Sequence, residues 1–260
     1  MYKQIATLVE AIKQQRPLVL NLTNYVTMDF IANGLLSVGA SPIMTHAMEE
    51  VRDLVRIAQC VVINLGTLDE PFIRLCEAAC RAANEMNKPL IFDPVGAGAS
   101  QYRTTTCLSL LEQYQFATIR GNASEILALC GKMQTTKGVD STLNGSDVID
   151  SAHGLSTKLQ ATVAITGKTD VIVTNDKVNR CERGVPIMPF ITGSGCLLTA
   201  VIAAFHGVES DPHVAARAAI NFYGVCGELA AKHAMGPGSF KMHFVDALSQ
   251  FPKREDYEAI

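Results

Sequence analysis

Residues 191–200, ITGSGCLLTA, deliver a thiol to a place suited to an anion. Gly193, Ser194 and Gly195 run into an apolar segment of helical length, so their backbone N–H groups and the helix dipole can cradle developing negative charge. Glycine at 193 and 195 allows close approach of the backbone and positive φ. The same spacing also serves an ordinary tight turn, and VGAGAS at 95–100 repeats it, so the pattern alone does not establish a site. Cys196 has three readings at such a turn: an acceptor of an alcohol proton, a polar spacer, or a small residue chosen for size. A P-loop is absent, because Gly131-Lys132 lacks the G-x-x-x-x-G-K-[ST] spacing.

Two acids and a guanidinium supply charge. In RGNASE (120–125), Asn122 and Glu125 fit a capping box, which explains both structurally. Alternatively Glu125 joins Asp93 of FDPVGAG in holding Mg2+, a cation that takes one or two carboxylates and fills its shell with water and phosphate oxygens. Asp93-Pro94 by itself fits a turn. Arg120 would then face phosphate, which suits its planar fork of donors. The six histidines show no ligand spacing and the eight cysteines contain no CxxC pair, which argues against structural zinc. Cys76 and Cys80 share one helical face, and seven of the eight thiols read as reduced, buried and inert, Cys196 being the exception.

The elements that must position these groups follow from the apolar pattern. Runs at 17–22, 41–45, 60–66, 89–94, 116–121 and 161–167 read as strands. Amphipathic stretches at Asp29–Val38, Met48–Ala58, Pro71–Met86, Thr104–Gln113 and Ala123–Cys130 alternate with them. This rhythm predicts a three-layer α/β fold with a mainly parallel sheet and helices on both faces. Around Asp170–Asp176 it gives way to a hairpin or antiparallel edge, followed by helices over Gly195–His206 and Asp211–His233. Residues 131–147 read as the longest loop and 252–260 as a frayed tail of one domain spanning 1–260. Each strand ends in residues able to bind: Asn21, Thr23 and Asn24; Thr45; Gly66 and Thr67; Asp93; Arg120; Thr166 and Gly167. Ligands of open parallel sheets sit beyond the carboxyl ends of the strands, although such residues also serve turns and caps.

Composition narrows the partners. The 260 residues are 48% hydrophobic and 18% charged, with a net charge of −3. That is a globular chain, and one without the basic run a nucleic-acid or anionic-membrane partner would require. No stretch approaches the roughly 18 apolar residues of a membrane span, and the first fifteen residues lack a signal-peptide core, so a cytoplasmic protein is expected.

The segments NLTNYV, GASPIM, NLGTL, FDPVGAGAS, RGNASEI, ITGKTD, TGSGC and GPGSF (236–240) occur in the order and spacing of a known family. The chain resembles the hydroxyethylthiazole kinases of the ribokinase-like superfamily over almost its whole length. NASE matches the superfamily's N-x-x-E motif, and GSGC stands where most relatives carry G-x-G-D. The resemblance implies ATP-dependent phosphorylation of the hydroxyl of 4-methyl-5-(2-hydroxyethyl)thiazole, with Mg2+. It implies that Met44, Asn24, Val26 and Gly66 line the thiazole pocket with Gly193 near the hydroxyl, and that Arg120 and Thr166 contact ATP. Asp93 and Glu125 then organise magnesium, Cys196 occupies the place of the superfamily base, and Gly193 and Gly195 shape the cradle. A homotrimer with pockets between subunits is also implied.

Other readings use the same residues. Cys196 as a covalent nucleophile would require a base partner, and among the strand-end loops only His46 is a histidine. A non-catalytic nucleotide-binding module would not need the Asp93–Glu125 pair. A lyase of the same superfamily, the ATP-dependent repair dehydratase of hydrated nicotinamide cofactors, keeps the aspartate that Cys196 replaces. Loose phosphoryl transfer needs little early proton abstraction, so the thiol is expected to act as a helper of positioned charge. The helix dipole lowers a thiol pKa and a neighbouring polyphosphate raises it.

Overall fold

The computed structural model describes residues 2–132, 145–250 and 255. Among these, eight strands form one sheet: β1 (Leu18–Leu22), β2 (Ser41–Ile43), β3 (Cys60–Asn64), β4 (Leu90–Asp93), β5 (Thr118–Asn122), β6 (Thr162–Thr166), β7 (Asp170–Thr174) and β8 (Lys177–Cys181). Their order is β2-β1-β3-β4-β5-β6-β7-β8. The strands from β1 to β6 pair in parallel, while β7 and β8 add an antiparallel hairpin. The chain leaves β1 toward the β2 edge and returns on the opposite side at β3. That reversal opens a crevice beyond the carboxyl ends of β1 and β3, the place where open α/β sheets bind ligands.

Helices cover both faces, as the alternation of strands and amphipathic stretches predicts. On one face lie α1 (Tyr2–Gln15), α2 (Met28–Val38), α8 (Ser194–His206), α9 (Pro212–Ala231) and α10 (Pro237–Ser249). On the other lie α3 (Val51–Ile57), α4 (Glu70–Glu85), α5 (Gln101–Gln113), α6 (Ala123–Leu129) and α7 (Gly145–Leu159). Each face closes over its own apolar core, and strand residues divide between them with period two. Cys60 and Val62 face the α8 side, whereas Val61 and Ile63 face the α4 side.

That alternation decides where the chemistry points. Continuing it, Asn64 follows Val62, Asp93 follows Ile91 and Thr166 follows Ala164, so all three emerge on the α8 face at their strands' carboxyl ends. Arg120 joins them, two residues beyond Thr118, which hydrogen-bonds His206 of α8. Helix α8 is apolar nearly all round and buried from Leu197 onward, and it lies over β1, β3 and β4 with its first turn at this edge.

Several boundaries differ from expectation for local reasons. Helix α5 starts at Gln101 because Ser100 caps it, its hydroxyl accepting from the Arg103 N–H at 3.2 Å. Strand β5 runs 118–122, although the backbone of Ala117 just before it already bonds Leu90 and Thr162. Residues 48–50 form a turn before α3. Of the expected loop at 131–147, residues 133–144 lie outside the described residues, and α7 begins at Gly145. The expected tail at 252–260 also lies outside them, apart from Glu255. Helices α7 and α10 were not expected from the sequence. The hairpin exceeds its expected span, because β8 carries it to Cys181. None of the eight cysteines forms a disulfide; Cys130 is only partly buried, the other six besides Cys196 are buried, and Cys76 and Cys80 do share the buried face of α4.

Candidate active site

The loop before α8 is shaped by what crowds against it. Gly193 is the N-cap, with φ +89°, a conformation that favours glycine. A Cβ there would fall 2.6 Å from Thr27 Cγ2. Gly195 leaves room for Arg120 where it stands: a Cβ there would fall 2.6 Å from Nη1. The turn is held from behind by Tyr223 of α9, whose buried hydroxyl donates to the Ser194 carbonyl at 2.6 Å. The N–H groups of Gly195 and Cys196 have no carbonyl one turn earlier, and Gly193 offers no side chain to cap them. They remain available to an anion.

Charge converges on that turn. Arg120 is mostly buried; Nη2 donates to Thr166 Oγ1, and Nη1 lies 3.8 Å from Asp93 Oδ2. Asp170 stands near the same guanidinium, its carboxylate accepting from the Gly167 N–H at 2.9 Å. Asp93 is fully buried, and its Oδ2 accepts from Asn64 Nδ2 at 2.9 Å and from Thr199 Oγ1 at 2.7 Å. Burial pushes its pKa up to about 6 against the pull of Arg120, and the nearby Glu125 pushes it the same way. Asp170 is likewise raised to about 6 by burial.

Asn122 and Glu125 do form the capping box: Glu125 N–H donates to Asn122 Oδ1 and Asn122 N–H donates to Glu125 Oε2. Glu125 Oε1 also accepts from the Gly96 N–H at 2.9 Å, which ties α6 to the loop after β4. The capping role does not remove Glu125 from the neighbourhood of Asp93, whose ionisation it opposes.

Cys196 lies in the first turn of α8, partly buried, with Asn24 Nδ2 3.5 Å from its sulfur. Burial first, then the Asp93 charge, raises its pKa, against hydrogen bonds from Asn64 and Asn24 and the Arg120 charge. The dipole expected to lower that pKa is outweighed, so the group is a thiol rather than a thiolate. No histidine is its hydrogen-bond partner among the described residues.

The expected thiazole residues lie in the loops after β1, β2 and β3. Asn24 is buried and donates to Asn64 Oδ1 at 3.0 Å, and the Gly66 N–H donates to the same oxygen at 3.0 Å. Gly66 is glycine because a Cβ would lie 2.8 Å from the Asn24 side chain. Met44 is partly buried and packs on the α8-side core, whereas Val26 is 75% exposed. Beside Val26, the exposed Tyr25 ring stacks on His46 with centroids 4.4 Å apart.

Sequence reasoning missed Asn64, Thr199 and Tyr223, which orient Asp93, Asn24 and the glycine turn. A polar residue interrupting an apolar run, as in CVVINLG and GCLLTAVIAAF, was the available signal. Among the described residues, five buried side-chain polar atoms lack a partner: Asn21 Oδ1, Thr23 Oγ1, Thr27 Oγ1, Asp93 Oδ1 and Arg120 Nε. All five lie at or just beyond the carboxyl edge of the sheet. An unpaired buried polar group costs about 1–3 kcal/mol, so their concentration here marks the edge as open to a ligand.

The chain is similar to known proteins over most of its length. Residues 9–254 match the Hydroxyethylthiazole kinase family. A hydroxyethylthiazole kinase of Clostridium beijerinckii is 45% identical over 253 residues, 95% of this chain and 92% of its own. The solved hydroxyethylthiazole kinase of Pyrococcus horikoshii OT3 superposes with a TM-score of 0.89 at 35% identity, covering 96% of this chain and 94% of its own. A ribokinase-like superfamily protein of Enterococcus faecalis shares the fold alone, with a TM-score of 0.65 at 14% identity over 94% of this chain and 93% of its own. The chain belongs to the hydroxyethylthiazole kinase family.

Proposed function

We propose that this site transfers the γ-phosphoryl group of ATP to the side-chain hydroxyl of 4-methyl-5-(2-hydroxyethyl)thiazole, the thiamine-biosynthetic reaction of the family, by in-line displacement. The observation that carries the reading is the Arg120 guanidinium, held between Thr166 and Asp93 and packed against Gly195 at the helix N-terminus. Arg120 and Thr166 bind the nucleotide phosphates, and the N–H groups of Gly195 and Cys196 take up charge on the migrating group. Asn24, Val26, Met44 and Gly66 bind the thiazole, with Gly193 beside its hydroxyl.

The residues fit a magnesium ion. Asp93 Oδ1 is a buried acceptor without a partner. Among the described residues no cluster of three or more His, Cys, Asp or Glu could form a protein cage. Two acids, Asp93 and Glu125, match a cation that completes its shell with phosphate and water. When bound, magnesium would screen the polyphosphate charge. Cys196, held as a thiol beside Asp93, has no base form to take the alcohol proton and spaces the turn, so that proton leaves late to a phosphoryl oxygen or to water.

Val26, one of the thiazole residues, and its neighbour Tyr25 are exposed, which supports a homotrimer whose neighbouring subunit completes the pocket. Eight cysteines without a disulfide support a cytoplasmic setting, and no helix among the described residues is long and apolar enough to cross a membrane.

ATP consumption measured against hydroxyethylthiazole, hydroxymethylpyrimidine, pyridoxal and a sugar tests the reading. Magnesium-dependent turnover should be greatest for the thiazole. Preferential turnover of another alcohol would overturn the substrate assignment.

A further inference from the structure

We propose that Thr27 is a substrate-binding residue whose hydroxyl donates a hydrogen bond to the alcohol oxygen of the acceptor, an inference that rests on the kinase reading above. Thr27 follows the β1 loop and is the N-cap of α2, at 3% exposure. A threonine in that place ordinarily bonds the N–H of the second or third helical residue. Here the side chain makes no capping bond, and Oγ1 has no partner at all.

Its other branch is fixed. The Thr27 methyl packs against Gly193, so closely that a Cβ on that glycine would fall 2.6 Å away. Phe30 supports the same contact from one turn further along α2, 3.4 Å from that Cβ position. Thr27 therefore touches the turn beside which the acceptor hydroxyl is placed. If packing on Gly193 were its whole role, valine would fill the space with no buried hydroxyl left unpaired.

The chemistry of the acceptor gives that hydroxyl a use. During transfer one lone pair of the alcohol oxygen attacks phosphorus, while the alcohol proton points to its acceptor or to water. A donor on the second lone pair fixes the oxygen's orientation and so restricts the acceptor to a reactive pose. Asn21 Oδ1 and Thr23 Oγ1, also buried without partners, lie shortly before Thr27 in the chain, on β1 and just past its end.

The test compares the alcohol with its deoxy analogue, 4-methyl-5-ethylthiazole, by calorimetric titration without nucleotide. Thr27→Val should weaken binding of the alcohol about tenfold and leave the ethyl analogue unchanged, while Thr27→Ser should stay within about threefold of wild type for both. Kinetically, Thr27→Val should raise KM for the alcohol without changing KM for ATP. If Thr27→Val fails to fold, Thr27→Ala supplies the same comparison. Equal weakening of alcohol and ethyl analogue, or no weakening of either, would overturn the assignment. Turnover of the alcohol by the wild-type enzyme tests the kinase reading separately.

Discussion

Helix α8 has two ends on the same sheet, and they treat buried polar groups differently. At its last turn His206 is buried, with Nε2 2.9 Å from Thr118 Oγ1. Nearby, His213 at the start of α9 bridges Thr174 Oγ1 at 2.9 Å and Asn179 Oδ1 at 2.6 Å, and Thr174 reaches Thr162 Oγ1 at 2.7 Å. Because Asn179 Oδ1 can only accept, His213 Nε2 carries the proton and Nδ1 accepts from Thr174. At the first turn, two residues along the same face of β5, Arg120 Nε has no partner, and neither have Asp93 Oδ1 and Thr27 Oγ1. Where only folding is at stake, polar groups are paired inside the protein; where a ligand must bind, they wait for it.

Substitutions should therefore act oppositely at the two ends. Arg120→Met, which keeps the stem and removes the fork, should lower kcat/KM by about 10²–10³-fold. Gly195→Ala should cost about 10²-fold by driving the guanidinium out of position, with melting little changed, as steady-state kinetics and calorimetry can check. Tyr223→Phe, losing one neutral bond to the Ser194 carbonyl, should reduce stability by about 1 kcal/mol and turnover only severalfold.

At the far end His206→Gln should leave turnover within about twofold of wild type and change the acid response instead. Burial holds the His206 pKa down to about 4, below the ordinary 6.5. The unfolded chain therefore binds a proton that the folded chain refuses, and this part of the stability is present above pH 6.5 and lost as pH falls toward 4. Thermal melts at pH 7 and 5 should show a smaller acid-induced drop in His206→Gln. An equal drop would mean that the paired end contributes no such sensitivity.

The same contrast explains what could be read in the sequence. Strand runs, the parallel sheet, the hairpin and the Asn122–Glu125 cap are local patterns, and the structure has each of them. Strand-end residues could be grouped because period two sends Asp93 and Thr166 to one face. The bond from Thr199 to Asp93 joins residues 106 apart, and Tyr223 reaches Ser194 across 29. No local pattern announces such pairs, since they exist only after α8 and α9 dock. Helix α10 was hidden by Gly236-Pro237-Gly238, which reads as a breaker but supplies an N-cap and a proline in the first turn. The net direction of the thiol pKa was not legible for a related reason: the helix dipole follows from sequence, whereas burial and proximity to Asp93 do not.

The account makes positioned charge the engine and the thiol its helper, and one paired measurement decides between them. Magnesium-dependent turnover and melting temperature should be taken together for Asp93→Asn and Cys196→Ala. The account predicts that Asp93→Asn loses about 10³-fold in turnover while melting at or above the wild-type temperature, because burial already disfavours the Asp93 carboxylate in spite of Arg120, and that Cys196→Ala stays within about tenfold. Near-normal turnover in Asp93→Asn, or complete loss in a well-folded Cys196→Ala, would contradict it.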